Sequence, residues 1–217
     1  MRSLISGLFS LLKSILRSPS MRSSGSDTPV SPPVSPPGSS DKTVSGRALA
    51  WGARVSAEFR SALFAVADAL GVDPDYLMAC IAFETAETFR PDIRNAAGSG
   101  AVGLIQFMPA TARGLGTSTD ALARMSAVEQ LDYVRMYFKP YAGRLHTLSD
   151  VYMAILWPKA VGQPEDYVLF TQPSLAYTQN AGLDRDRDGR ITKAEAAGLV
   201  QAKLERGRLP GNLWCGS

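Results

Sequence analysis

The chain has few of the residues that several enzyme classes require. Its 217 residues include two cysteines, Cys80 and Cys215, and one histidine, His146. Two cysteines allow one disulfide or two free thiols, and the sequence does not decide between them. This small supply excludes zinc fingers and HExxH metalloproteases, and it allows a Ser-His-Asp triad only if the triad uses His146. No apolar run approaches the roughly 18 residues that a membrane-spanning helix needs.

Most of the chain also lacks net charge. Residues 1–46 carry five basic and two acidic side chains, which leaves 18 of each sign in the remaining 171 residues. A nucleic-acid-binding domain usually presents a basic face, so this neutral body argues against a nucleic-acid partner. The 45% of hydrophobic residues is enough to form one ordinary globular core.

Residues 1–17 predict an amphipathic helix. Leucine, isoleucine and phenylalanine recur at helical spacing on one face, and serines and basic residues occupy the other. We expect this helix to bind a membrane surface or a partner such as a virion protein, and packing against the body is the alternative. A basic start before an apolar stretch also resembles a secretory signal. However, Lys13 interrupts the stretch and the cleavage site is poor, so no convincing signal peptide is present.

Residues 18–46 predict a flexible linker, because their ten serines and six prolines cannot form a core. The body, residues 47–217, is predicted to be mostly α. Local start signals place helices at Ser56, Asp73-Pro74, Met108-Pro109, Ser126 and Thr147. Strand-like alternation is scarce, and VLF at 168–170 is too short to predict a strand.

Glu84 is the candidate catalytic acid. It lies three and four residues after Ile81 and Cys80, so helical geometry places its carboxyl group on an apolar side of its helix. An acid held against apolar groups has a raised pKa, which a general acid working near neutral pH requires. The alternative is that Glu84 ends the apolar stripe and points to water.

The segment after Glu84 resembles the soluble lytic transglycosylase (SLT) branch of the lysozyme-like superfamily. That family has a helix-borne Glu followed by Ser or Thr, and then a Gly-Leu-Met-Gln-x-Met-Pro-x-Thr-Ala segment. Glu84-Thr85 and Gly103-Leu-Ile-Gln-Phe-Met-Pro-Ala-Thr-Ala112 stand in that order here. The resemblance implies a lysozyme-like α-helical domain in which Glu84 is the acid and base. It also implies that Gly103, Ile105 and Gln106 shape a saccharide cleft.

The third motif of that family, Ala-Tyr-Asn-Ala-Gly, has no clear counterpart. The segment Ala176-Tyr-Thr-Gln-Asn-Ala-Gly182 contains two extra residues and lies far along the chain. The segment 150–158 lies at a more usual distance and places Leu156 or Trp157 at the tyrosine position. We favour the second placement, and Tyr152, Trp157 and Tyr177 remain candidates for the residue opposite the acid.

Residues 184–195 match the EF-hand pattern D-x-D-x-D-G-x5-E at every fixed position. In such loops alternate oxygens converge on one Ca²⁺ ion, and a glycine permits the sharp bend. We therefore expect a structural calcium site in the C-terminal part of the body. Its predicted ligands are the side chains of Asp184, Asp186, Asp188, Thr192 and Glu195 together with the carbonyl group of Arg190.

The resemblance implies an enzyme that cleaves the MurNAc-β-1,4-GlcNAc bond of peptidoglycan glycan strands and leaves 1,6-anhydro-MurNAc ends. A lysozyme-type hydrolase is the alternative if Glu87 or Asp92 positions a water molecule. A non-catalytic wall-binding or virion module is the alternative of another class. We expect the protein to act on the bacterial cell wall in the periplasm. A wall enzyme without a convincing signal suits a phage product, either carried in the virion or released at lysis.

Overall fold

The computed structural model describes residues 46–96 and 98–216. The amphipathic helix predicted for residues 1–17 and the linker predicted to follow it lie outside the described residues, except for Gly46. The described part is mostly helical, as the sequence predicts. Its α-helices, in chain order, are α1 Ala57–Leu70, α2 Pro74–Glu84, α3 Pro109–Gly114, α4 Thr119–Arg124, α5 Ala127–Phe138, α6 Leu148–Leu156, α7 Leu175–Asn180 and α8 Lys193–Gly207. Short 3-10 helices cover Gly52–Arg54, Lys139–Tyr141, Pro158–Ala160 and Ala181–Leu183.

The helix starts follow the local signals in the sequence. The Ser56 hydroxyl accepts a hydrogen bond from the Phe59 amide at the start of α1, and Asp73 caps α2 ahead of its first-turn proline. At α5 both halves of the predicted capping box between Ser126 and Glu129 form. Side chains that satisfy free backbone N–H groups fix a helix start without help from distant residues, and these predictions are therefore confirmed.

Helix α2 lies at the centre of the core. Every residue from Leu77 to Phe83 is buried, whichever side of the helix it occupies. The helix packs against α1, α6 and α8, so its sides are covered. Glu84 is therefore not part of one apolar stripe on a half-exposed helix. It follows the buried run 77–83 as the last residue of the helix, and it is partly exposed.

Two short antiparallel strand pairs complete the fold. Strand β1, Ala48–Leu49, pairs with β4, Trp214–Cys215, and joins the two ends of the described part. Strand β2, Val168–Thr171, pairs with β3, Arg190–Thr192, and Phe170 lies opposite Ile191. The expectation that residues 168–170 form no strand was therefore wrong, because their pairing partner lies about 20 residues further along the chain.

Among residues 46–96 and 98–216, no helix combines the length and the apolar character needed to cross a membrane.

Candidate active site and metal loop

Glu84 is followed by a tightly hydrogen-bonded turn at the end of α2. The next residue, Thr85, is fully buried, and its hydroxyl donates to the Ile81 carbonyl at 2.7 Å and accepts from the Phe89 amide at 3.1 Å. Ala86, Glu87 and Phe89 all adopt positive φ angles, which non-glycine residues rarely do. The Thr85 bonds hold this strained segment in place, so they fix the position from which Glu84 extends.

Two tyrosines lie within electrostatic range of Glu84. Burial raises the pKa of Tyr152 well above its usual value, and the nearby Glu84 and Cys80 add to the effect. Burial likewise raises the pKa of Tyr137, with further contributions from Tyr141 and Glu84. Both phenols are therefore neutral at physiological pH. The acid lies beside weakly polar aromatic groups, and neither phenol adds a negative charge.

A cavity of about 720 Å³ has Tyr137 in its wall. The wall also includes Tyr141, the turn at Ile105 and Gln106, and Trp157 at the end of α6. Glu84 is not itself one of the lining residues, but Tyr137, whose pKa Glu84 influences less than burial does, is one of them. A partly apolar cavity with aromatic surfaces and a few polar groups has the composition of a saccharide-sized binding site.

The predicted turn at Gly103 is shaped by Gln130 of α5. Gly103 has a φ of +83°, and a Cβ atom at that position would lie 2.4 Å from Gln130 Oε1. The Gln130 amide accepts from the Leu104 N–H at 3.0 Å and donates to the carbonyls of Pro91 and Leu122, both at 2.7 Å. Only a glycine lets the buried amide approach the turn this closely.

Gln106 combines a cavity-lining position with a structural bond. It is 5% exposed, has a φ of +51°, and its Nε2 donates to the carbonyls of Ile93 at 3.2 Å and Gly103 at 3.1 Å. Its amide N–H groups therefore close the turn, while the residue contributes to the cavity wall. The neighbouring Ile105 is buried and also lines the cavity.

The structure separates the three aromatic candidates. Trp157 lies on the cavity wall and is partly exposed. Tyr152 is 1% exposed and packs edge-on against Phe83, with ring centroids 5.5 Å apart, so it is a core residue near the acid. The Tyr177 hydroxyl donates to Asp184 Oδ2 at 2.6 Å, in the predicted metal loop. Of the three, only Trp157 lies where a molecule in the cavity could contact it. Burial removes Tyr152 from such contact, and the bond to Asp184 holds Tyr177 elsewhere.

Both candidates for a second carboxylate form ion pairs. Glu87 contacts Lys203 and Arg206 of α8, and the Arg206 Nη1 to Glu87 Oε1 distance is 3.3 Å. Asp92 forms a two-point contact with Arg90, which lowers the pKa of the Asp92 carboxyl group. Both carboxylates therefore have cationic partners in this structure.

The loop at 184–195 brings three carboxylates together. Ligand oxygens of Asp184, Asp186 and Asp188 all lie within 4.8 Å of one another. Gly189, with a φ of +83°, makes the bend, and its N–H donates to Asp184 Oδ2 at 3.1 Å. The other oxygen of Asp184, Oδ1, is buried and makes no hydrogen bond to any described residue. A buried carboxylate oxygen without a partner fits a site that receives a cation.

The remaining predicted ligands lie at the end of the loop. The Arg190 backbone is in β3, and Thr192 caps α8 by accepting from the Glu195 amide. The Glu195 carboxylate accepts from the Arg185 N–H at 3.0 Å and from the Thr192 N–H at 2.9 Å. It is therefore occupied by backbone donors, and it would have to turn to bind an ion together with the three aspartates.

Comparison with known families bears on the part of the chain that holds the acid. Residues 61–132 match the family model of the transglycosylase SLT domain. The matched SLT segment, 72 of 217 residues, contains Glu84, the turn at 103–106 and Gln130. It ends before Trp157 and the metal loop. No curated protein matches the chain. The match and the mostly helical fold both support a relationship to the SLT and lysozyme-like superfamily.

Several residues of the site were not predicted from the sequence. Tyr137, Tyr141, Arg144 and Lys159 line the cavity, and Gln130 supports its turn. Gln130 carried a usable signal, because it precedes the buried Val134 by one helical turn and so lies on the apolar face of α5. Of the other four, three lie close together at 137–144, and only the folded chain brings them to the same cavity as Lys159.

Proposed function

We propose that this protein is a peptidoglycan lytic transglycosylase in which Glu84 is the single catalytic acid and base. The observation that carries the proposal is the position of Glu84. Glu84 is the last residue of a largely buried helix, is followed by the buried and hydrogen-bonded Thr85, and lies within electrostatic range of two neutral tyrosines, one of which lines a cavity. The match of residues 61–132 to the SLT domain supports peptidoglycan as the substrate.

The reaction follows from a single acid in this setting. Protonated Glu84 donates its proton to the glycosidic oxygen between MurNAc and GlcNAc, and the bond from MurNAc C1 to that oxygen breaks. The C6 hydroxyl of the same MurNAc attacks C1, and the Glu84 carboxylate accepts the hydroxyl proton. The products are a 1,6-anhydro-MurNAc end and a GlcNAc with a free 4-hydroxyl. No water enters, which agrees with the ion-paired states of Glu87 and Asp92.

Trp157 and Gln106 are the residues that we propose contact the glycan. The Trp157 ring lies on the cavity wall and packs edge-on against Phe170, with centroids 5.0 Å apart. A ring held in this way offers a flat apolar surface to a sugar face at little cost in side-chain entropy. Gly103 and Ile105 shape the wall beside it through the turn that Gln130 supports.

The test of the catalytic role is the release of soluble glycan from purified peptidoglycan. General acid-base catalysis typically contributes roughly 10²- to 10⁴-fold, so Glu84→Gln should lower the rate by at least about 100-fold. Glu205→Gln, the same chemical change on an exposed part of α8, is the matched control and should keep the wild-type rate. Equal rates for the two variants would show that Glu84 is not the acid.

We also propose that the loop at 184–195 binds one Ca²⁺ ion. The gathered aspartates and the unpartnered Asp184 oxygen support this, and Glu195 would exchange its backbone bonds for the ion. The bound ion would hold β3 and thereby β2, whose Phe170 packs on Trp157. The proposed role is therefore structural, and it extends to one wall of the cavity.

Calcium binding is tested by thermal unfolding with and without the ion. At a Ca²⁺ concentration about 100 times the Kd, binding stabilises the folded state by about 2.7 kcal/mol, so the Tm should rise by several degrees. Asp186→Asn should abolish the rise, whereas Asp166→Asn, outside the loop, should retain it. An equal rise in both variants would rule out this loop as the site.

We further propose that the protein acts on the wall of a bacterial host as a phage product, with residues 1–17 attached to a membrane or to a virion protein. Support comes from the sequence pattern of this segment alone. Fusing residues 1–22 to a reporter separates attachment through this segment from its action as a secretory signal. Uncleaved binding to lipid vesicles would support attachment, and export with cleavage would contradict it.

A further inference from the structure

The charged side chains that line the cavity carry a further inference about the substrate. Among the described residues that line the cavity, the charged ones are Arg144 and Lys159, and no carboxylate is among them. Both side chains are exposed, and neither forms an ion pair with a described residue. An unpaired pair of cations at the edge of a binding cavity favours an anionic ligand.

The two cations come from adjacent segments. The Arg144 Nη2 donates to the carbonyl of Val161 at 3.1 Å, and Val161 follows the 3-10 helix that contains Lys159. Burial raises the pKa of Tyr141, and the nearby positive charge of Arg144 partly offsets this increase. The Val161 bond uses one of the five N–H donors of the guanidinium group and limits its motion, so donors remain for a carboxylate.

From this arrangement we propose that Arg144 and Lys159 form an anion-binding subsite, which binds a carboxylate carried by the muramic acid units of the glycan strand. The proposal rests on the proposed function and narrows its substrate to strands that carry negative charge. The carboxylate has two sources in peptidoglycan. One is the stem peptide, and the other is the lactyl group that is left free when the peptide is removed.

The neighbouring groups agree with this chemistry. Trp157 lies two residues before Lys159 and offers an apolar surface for a sugar ring. The sugar ring and its carboxylate would therefore be bound by side chains that are close in the sequence. A planar guanidinium group with two free N–H groups in one plane matches a carboxylate better than a neutral hydroxyl. The subsite would therefore favour peptidoglycan over an uncharged glycan of the same backbone.

The test measures binding in the Glu84→Gln background, where the glycan is not consumed. Three probes are compared, which are glycan strands with stem peptides, the same strands after amidase treatment, and chitohexaose. The test variant carries both Arg144→Gln and Lys159→Gln. The matched control is Arg113→Gln with Lys139→Gln, an exposed arginine and lysine that do not line the cavity.

Charged strands should bind roughly tenfold more tightly than chitohexaose, as two exposed charge contacts would provide. The Arg144 and Lys159 variant should lose this preference, and the control should keep it. High salt should weaken the preference in the control but not in the variant. A preference that survives amidase treatment identifies the lactyl carboxylate, and one that is lost identifies the peptide.

Two contrary results are distinguishable. In the first, the wild-type protein cleaves peptidoglycan while the Arg144 and Lys159 variant binds charged strands as tightly as the control does. In that case the proposal of an anion-binding subsite is wrong, and the proposed enzyme activity stands. If the wild type neither binds nor cleaves any of the strands, the proposed function fails and this subsite fails with it.

Discussion

The contact between Gly103 and Gln130 allows a quantitative prediction. Gly103→Ala places a Cβ atom 2.4 Å from Gln130 Oε1 on a residue with a φ of +83°. The positive φ costs an alanine about 1 kcal/mol. Displacing the Gln130 amide disturbs its three buried hydrogen bonds, at roughly 1 kcal/mol each. We therefore expect Gly103→Ala to lower the free energy of unfolding by about 4 kcal/mol.

The double variant distinguishes this cause from a general loss of stability. Gln130→Ala alone removes the same three bonds and should cost about 3 kcal/mol. Once that side chain is gone, Gly103→Ala should cost only the roughly 1 kcal/mol that is due to φ. The two changes should therefore total about 4 kcal/mol rather than the roughly 7 kcal/mol of independent changes, a coupling of about 3 kcal/mol.

Urea unfolding followed by tryptophan fluorescence measures each value. Gly143→Ala is the control, because Gly143 has a φ of +76° and a Cβ atom added there would have no other atom within 4 Å. It should cost about 1 kcal/mol alone, and the same in the Gln130→Ala background. If Gly103→Ala and Gln130→Ala proved additive, the close approach would not be what requires a glycine at position 103.

The cavity wall and the buried ion pair can be tested by three further changes. Trp157→Ala should raise the KM for peptidoglycan on the order of tenfold, since roughly 60 Å² of apolar contact is lost, and an unchanged KM would remove Trp157 from the binding site. Chelating calcium should change the fluorescence of the wild type through Phe170 but leave Trp157→Phe unaffected, and the same change in both would mean that the signal comes from another tryptophan. Lys193→Met leaves Asp150 buried without its 2.7 Å partner and should cost about 3 kcal/mol at pH 7. Burial favours a raised pKa for Asp150, but the bonds from Lys193, Gly162 and Thr147 lower it, so this stability is present above about pH 4 and is lost as the pH falls further. The difference in the free energy of unfolding between the wild type and Lys193→Met, measured with urea, should therefore decrease below about pH 4. A difference that does not change with pH would contradict the role of the Asp150 carboxylate.

Helix boundaries were predictable from the sequence because their causes are local. Ser56, Asp73 and Ser126 each satisfy backbone N–H groups within three residues, and that geometry requires no other part of the fold. The strand at 168–171 was not predictable in the same way. It exists because Ile191 and its neighbours return to pair with it, and neither segment is long enough to indicate a strand alone.

The segment that contains Glu84 was easier to relate to a family than the groups around the cavity. Glu84 and the turn at Gly103 lie on one continuous stretch with a family-like pattern, and the SLT domain match covers the same stretch. Tyr137 and Arg144 reach the cavity from the stretch 137–144 and Lys159 reaches it from another, so only tertiary packing shows that they belong to one cavity. Tyr177 was kept as a candidate because of the family-like sequence around it, but its hydroxyl donates to Asp184 in the loop at 184–195 and it does not line the cavity.

The most direct test of the central claim is mass spectrometry of the ends produced from purified peptidoglycan, with calcium present. We predict that the wild type releases fragments ending in 1,6-anhydro-MurNAc and that Glu84→Gln releases essentially none. Reducing MurNAc ends from the wild type would contradict the single-acid mechanism and return attention to Glu87 and Asp92. Equal release of anhydro ends by both proteins would contradict the assignment of Glu84.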